Sequence, residues 1–327
     1  MVTFRVALAV LVLLTASDAD PAFARPTKPV KIGILTLAWV PWHANTEGFR
    51  DGLKEIGYIE GKDLTYEVRA AGGNAARLPA LAAELVRQSP DLLFCVAGPE
   101  ALACQKATDT IPIVFTQTSD PVKLGLVRGL AKPGANITGI SSLRAELTAK
   151  RLELFRQLVP SLRRVLVTYD PRDSEELDAL ASAKSAAARM DGLELIELPI
   201  TDPLDIESGL GAMKAGGRDG VLIIQPGPNL NIAGRSLQVA TSNKLPTMYP
   251  SSFWSKVGAL ASYGPDQNLQ GRQAARLADR ILSGTRPADL PVELPDRIEF
   301  IVNLKTARLL GVDIPPPLRV RVDRLVE

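Results

Sequence analysis

From Pro29 onward, short apolar runs alternate with longer stretches whose apolar residues recur every three or four positions, so strands alternate with amphipathic helices. Val30 to Leu35 is a β-branched run suited to a parallel strand covered on both faces. Asn45 and Thr46 offer caps to a helix that carries Phe49, Leu53 and Ile56 on one side and closes at Gly57. The pattern repeats as strand Leu64–Arg69, a helix marked by Leu78, Leu81 and Leu85, strand Leu92–Ala97, a helix around Ala101–Ala107, and strand Ile111–Thr116. Helices of this length between strands predict right-handed crossovers and a doubly wound parallel sheet.

A second series starts at Arg164. Strand Val165–Thr168 precedes the alanine-rich helix Glu175–Met190 and strand Leu193–Ile200; a helix through Leu210 and Met213 precedes strand Gly220–Ile224. Helix Asn229–Ser242 and strand Leu245–Tyr249 complete it. Asp91–Asp120 and Asp219–Ser252 share one order of strand, proline-containing turn, helix and strand. Two lobes of one α/β architecture are predicted. The remainder (strand Gly258–Tyr263, helix Gln267–Leu282, the proline-rich link Gly284–Pro295, strand Ile298–Val302 and a short helix capped by Asn303) supplies what a chain crossing repeatedly between lobes would leave.

Residues 1–24 read as an export signal. Arg5 is followed by the apolar run Val6–Thr15 and by Ala22-Phe23-Ala24, a small-x-small cleavage pattern. The run is too short to span a bilayer, and no cysteine follows the cleavage point, so a soluble periplasmic product rather than a lipoprotein is expected. Cys95 falls in a buried strand and Cys104 in the next helix. Strand-to-helix spacing of about 10 Å argues for two buried free thiols rather than a bridge.

With 38 basic against 36 acidic residues, the formal charge of +2 lacks the basic footprint of a nucleic-acid partner. The lone histidine, His43, excludes a multi-histidine zinc site, and it is read as a loop residue without a role. No nucleophile elbow, phosphate loop or dinucleotide fingerprint is present.

Several runs carry a family resemblance: Gly52-Leu53-Lys54-Glu55-Ile56-Gly57-Tyr58, Leu78-Pro79-Ala80-Leu81-Ala82, Ile111-Pro112-Ile113-Val114-Phe115, Asp120-Pro121-Val122-Lys123-Leu124-Gly125, Lys132-Pro133-Gly134-Ala135-Asn136-Ile137-Thr138-Gly139, Lys150-Arg151-Leu152-Glu153-Leu154 and Val302-Asn303-Leu304-Lys305-Thr306-Ala307. In this order they resemble the exported solute-binding proteins of ABC importers, in the tryptophan/tyrosine-type group. The resemblance implies a type 1 periplasmic binding protein fold, two doubly wound parallel-sheet lobes joined by a three-crossover hinge. It places lobe one at 28–142 plus 258–286 and lobe two at 143–257 plus 287–327.

Ligands of open parallel sheets sit beyond the carboxyl ends of the strands, so the facing lobes should enclose one cleft. Candidate contacts from lobe one are Trp39, Gly98, Pro99, Thr118, Ser119 and Asp120, while Ser141 near the crossover counts with lobe two. Lobe two offers Tyr169, Asp170, Gln225, Asn229, Tyr249 and Ser251. Asp120 has a competing use as a cap, and Tyr169 as core. Where relatives place a threonine before Pro-Ala, this chain has Gly98-Pro99-Glu100, a hydroxyl exchanged for a carboxylate. The expected function is capture of a small carboxylate-bearing solute, an amino acid or analogue, for an inner-membrane ABC permease. No enzyme activity, cofactor, metal or nucleic acid is expected, and the protein should be a monomer. The alternative is a secreted two-lobed α/β enzyme of transferase type using the same cleft.

Overall fold

The computed structural model describes residues 28–202, 204–211, 213, 218–225 and 230–327. The export signal at 1–24 and the candidate Asn229 lie outside these residues. The first sheet contains β1 (Val30–Thr36), β2 (Leu64–Ala70), β3 (Leu92–Cys95), β4 (Ile113–Thr118) and β5 (Ile137–Ser141), in the order β2-β1-β3-β4-β5 with every pair parallel. Alternate residues face opposite cores. Ile32, Ile34, Phe94 and Val114 pack under α1 (Ala44–Ile56). Leu35, Leu93, Ile113 and Phe115 pack under α2 (Leu78–Arg87) and α3 (Gly98–Ala107).

The second sheet holds β6 (Arg164–Tyr169), β7 (Glu194–Pro199), β8 (Asp219–Ile223), β9 (Thr247–Tyr249), β10 (Ala261–Pro265), β11 (Ile298–Asn303) and β12 (Arg324–Val326), ordered β12-β11-β10-β9-β8-β6-β7. All pairs are parallel except β10 with β11. Helices α4 (Arg144–Leu158) and α5 (Ser174–Ala187) cover one face; α6 (Leu204–Gly211), α7 (Leu230–Ser242) and α8 (Ser252–Lys256) lie toward the other. The two-lobed fold is that of a type 1 periplasmic binding protein.

Two lobe boundaries differ from expectation. The strand assigned to lobe one after residue 258 belongs to the second sheet, where Ala261 and Ser262 register with Met248 and Tyr249 of β9. The short link from β9 through α8 keeps it beside its predecessor, and Leu260 and Ala261 enter the lobe-two core. Conversely, residues after 287 stay on the first sheet until about Glu293, which bridges Ile140, while Leu290 is buried in the lobe-one core. Lobe one is therefore 28–142 with 266–295, and the chain crosses near 142, 265 and 296.

Helix α9 (Gln267–Leu282) is the returned segment. Asp266 caps it, accepting from the amides of Asn268 at 2.9 Å and Leu269 at 3.1 Å. Asp266→Ala should cost about 1 kcal/mol and lower the melting temperature by about 2–4 °C in a thermal scan.

Cys95 and Cys104 are both buried and free. They are nevertheless close enough for their thiols to hydrogen bond, and burial pushes the Cys95 thiol well up.

Candidate ligand-binding cleft

Carboxyl ends of both sheets converge on one cleft of about 580 Å³. Lobe one lines it with Thr36, Leu37, Ala38 and His43 after β1, with Pro99 and Glu100 at the start of α3, and with Gln117. Gln267 and Gln270 of α9 belong to the same wall. Lobe two contributes Arg144, Leu147 and Arg151, spaced three and four apart along one face of α4. Asp173 before α5, Gln225, Ser251, Phe253 and Trp254 complete that side, and Ser142 stands at the crossover.

The charges are arranged unevenly. Arg144 lies 3.4 Å from Asp173 and 3.3 Å from Glu175, so its guanidinium is neutralised within lobe two. Arg151 is only 2% exposed. Its Nη1 donates to the carbonyl oxygens of Ile223 at 3.3 Å and Ile224 at 3.1 Å, at the end of β8. No carboxylate pairs with it among the described residues. Burial, with the Arg144 charge nearby, lowers its pKa to about 9, so it stays cationic at neutral pH. Across the cleft, Glu100 is 2% exposed and accepts the Leu37 amide on Oε1 at 2.7 Å. Burial raises its pKa to about 7.

Among the described residues, four buried side-chain atoms have no hydrogen-bond partner: Glu100 Oε2, Ser142 Oγ, Arg151 Nε and Gln270 Nε2. Each belongs to a residue lining this cleft. Leaving a buried polar group unpaired costs about 1–3 kcal/mol, and more for a charged one. Such a cluster in one place makes this cleft the candidate binding site.

Of the residues singled out in the sequence, Pro99, Gln225 and Ser251 line the cleft. Apart from Trp39, the other candidates among the described residues are engaged locally. Trp39 is 55% exposed and stands outside the lining. A Cβ at Gly98 would meet the Leu124 side chain at 3.0 Å and Glu175 at 3.7 Å, so the position is closely packed. The Thr118 hydroxyl donates to the Thr116 carbonyl at 3.3 Å. Ser141 donates to the Ser119 carbonyl at 3.0 Å, and the Ser119 amide donates to Glu175 at 2.5 Å. Asp120 caps a turn by accepting from Val122 and Lys123, the competing use foreseen for it. Asp170 pairs with Arg172 at 2.7 Å, which holds its carboxyl below the usual range. Tyr169 packs on the lobe-two core, and Tyr249 is fully buried and stacked on Trp254 at 5.0 Å.

His43, read as a residue without a role, caps α1 on the cleft wall with Nε2 3.1 Å from Thr36 Oγ1. Burial lowers its pKa to about 4, so the ring is neutral. Arg144 and Arg151 were missed because a charged residue on a helix ordinarily marks its solvent face. The available signal was their seven-residue spacing, two helical turns on one face.

The profile of the ABC transporter substrate binding protein family matches residues 40–326. The chain belongs to that family. This substrate-binding protein is 29% identical over 288 residues to a tyrosine-binding protein of Clostridioides difficile (strain R20291), covering 87% of this chain and 82% of the relative. A conserved domain protein from Vibrio cholerae superposes with a TM-score of 0.82 at 30% identity, covering 91% of this chain and all of that one. An ABC domain in complex with L-Trp from Streptococcus pneumonia superposes at 0.79 with 24% identity, again over 91% and 100% of the two chains. The fold and the family are thereby shown. The substrate-binding protein acts on small molecules in concert with a transporter, outside the cytoplasmic membrane as the family does.

Proposed function

We propose that this protein captures an amino acid with an apolar or aromatic body between its lobes and delivers it, unchanged, to an inner-membrane ABC permease. It would do so as a periplasmic monomer released from its export signal. The observation that supports this reading is the set of four unpartnered buried polar atoms on one cleft, which includes a guanidinium without a counter-ion. A guanidinium binds a carboxylate through charge-assisted, often paired hydrogen bonds. Leu37, Val40, Leu147, Phe253 and Trp254 supply the apolar surface for the rest of the ligand. The relative named for tyrosine and the neighbour bound to L-Trp make aromatic amino acids the first to try.

Thermal scans and calorimetry with tyrosine, tryptophan, phenylalanine, leucine, their keto acids, a sugar set and divalent metals test it. A true ligand at a hundredfold excess over Kd should stabilise the fold by about 2.7 kcal/mol and be recovered intact. Tight binding of a sugar or metal, with every carboxylate inert, would refute the proposal.

A further inference from the structure

Glu100 and Arg151 are both buried, both line the cleft and both keep an atom without a partner, yet they belong to different lobes. Glu100 lies at the start of α3 and moves with the first sheet; Arg151 lies on α4 and moves with the second. Neither has an opposite charge paired to it among the described residues. Other charges nearby are matched across the boundary: Glu175 accepts the Ser119 amide while facing Arg144, and Lys123 meets Asp178 across the lobes at 2.5 Å. Glu47 also lines the lobe-one wall but is exposed to solvent, so the two lobes present one buried unmatched acid and one buried unmatched base to whatever enters between them.

Resting on the amino-acid reading above, we infer that the lobes divide the charges of the ligand: Glu100 of lobe one receives its ammonium group, Arg151 of lobe two receives its carboxylate, and closure requires a ligand carrying both. A ligand shifts a conformational equilibrium only by its differential affinity for the two states. A zwitterion gains one charge-assisted contact from each lobe, and holds both only when the lobes are together. A keto acid satisfies Arg151 alone and an amine satisfies Glu100 alone. Each fills one wall and leaves the opposite buried charge exposed to its desolvation penalty.

The test combines calorimetry with small-angle X-ray scattering on the purified protein, using tyrosine, tryptophan, phenylalanine and leucine, each with its 2-keto acid and its decarboxylated amine. The amino acid that binds should reduce the radius of gyration. Its keto acid and amine should bind roughly 10- to 100-fold more weakly and leave the radius unchanged. In Glu100→Gln, amino-acid affinity should fall to that of the keto acid. In Arg151→Met it should fall to that of the amine, with Arg151→Lys, which keeps the charge, retaining part of the difference and serving if the methionine variant does not fold. A keto acid that closes the lobes as fully as its amino acid, or a Glu100→Gln protein that still discriminates the two, overturns the inference while sparing the amino-acid site. Closure by a sugar with no response to any amino acid removes the site reading itself.

Discussion

Replacing Gly271 with valine is expected to lower the melting temperature by about 6–12 °C, the cost of roughly 3 kcal/mol of overpacking in a domain of this size. Helices α1 and α9 cross with their backbones almost in contact. A Cβ at Gly271 would fall 2.0 Å from the Asn45 carbonyl oxygen and 2.6 Å from the Phe49 nitrogen. The partner side is equally tight, since a Cβ on Gly48 would meet the Asn268 carbonyl at 2.0 Å. Neither neighbour is a side chain that can swing away, so the helices must part. Because α9 carries Gln267 and Gln270 into the cleft, the variant should also bind ligand more weakly. Gly234→Ala is the control. Nothing lies within 4 Å of its Cβ position in α7, and alanine there should gain about 0.5–1 kcal/mol. A Gly271 variant that melts with the parent would show that this crossing does not limit stability.

The second large effect is on pH dependence. Burial raises Glu100 to about 7 and Glu176 to about 8, against 4.5 in an unfolded chain. Both groups therefore bind a proton more firmly when folded, and each removes stability as pH climbs from about 4.5 to its folded value. The slope is roughly 1.4 kcal/mol per pH unit for each proton. His43 works the other way between about 4 and 6.5, since its folded form resists protonation. Glu100, Glu176 and His43 together should thus oppose folding by one net proton from 4.5 to 6.5, two from 6.5 to 7 and one from 7 to 8, and Glu175, whose carboxyl is also pushed up by burial, adds in the same direction. Glu100→Gln should flatten the first two intervals by one proton each, which melting temperatures across a pH series would read. Glu100 is faced by the Leu37 amide and the Cys95 thiol, and no basic side chain pairs with it among the described residues. An arriving ammonium group should accordingly displace its proton, so amino-acid affinity should rise with pH to about 7 and then level. Calorimetry in buffers of different ionisation enthalpy would report that proton. An affinity flat from pH 5 to 7 would count against ionised Glu100 as the acceptor.

The strands β1, β3 and β4 were readable because a strand buried on both faces is nearly all apolar, and the cleft followed from where parallel strands end. Strand β5 and helix α4 were harder. β5 is short and contains Gly139, where a Cβ would strike the Phe115 carbonyl at 2.2 Å, so its glycine reflects packing rather than a break. Helix α4 buries Arg144 and Arg151 beside Leu152 and Phe155, which blurs any apolar stripe. Composition near a strand end could not separate the residues that face the cleft from those that serve the turn. Asp120 and Asp170 find partners two or three residues away. Tyr249 gains more from a dry core than from a wet wall. Glu100 was visible as a departure from its relatives, but its orphaned oxygen is a property of three-dimensional packing alone.

The order in which the chain visits the two sheets limits how such a protein can change by exchange of gene segments. Helix α9 and the link to Glu293 belong to lobe one but are encoded between strands β10 and β11 of lobe two. A single crossover between related genes that replaced residues up to 142 would thus set a foreign α1 against the native α9, where Gly48 and Gly271 leave no room for mismatch. Swapping lobe one as a working unit takes two coordinated exchanges, and lineages carrying this architecture should diversify their ligands by point substitution within the cleft sooner than by trading lobes.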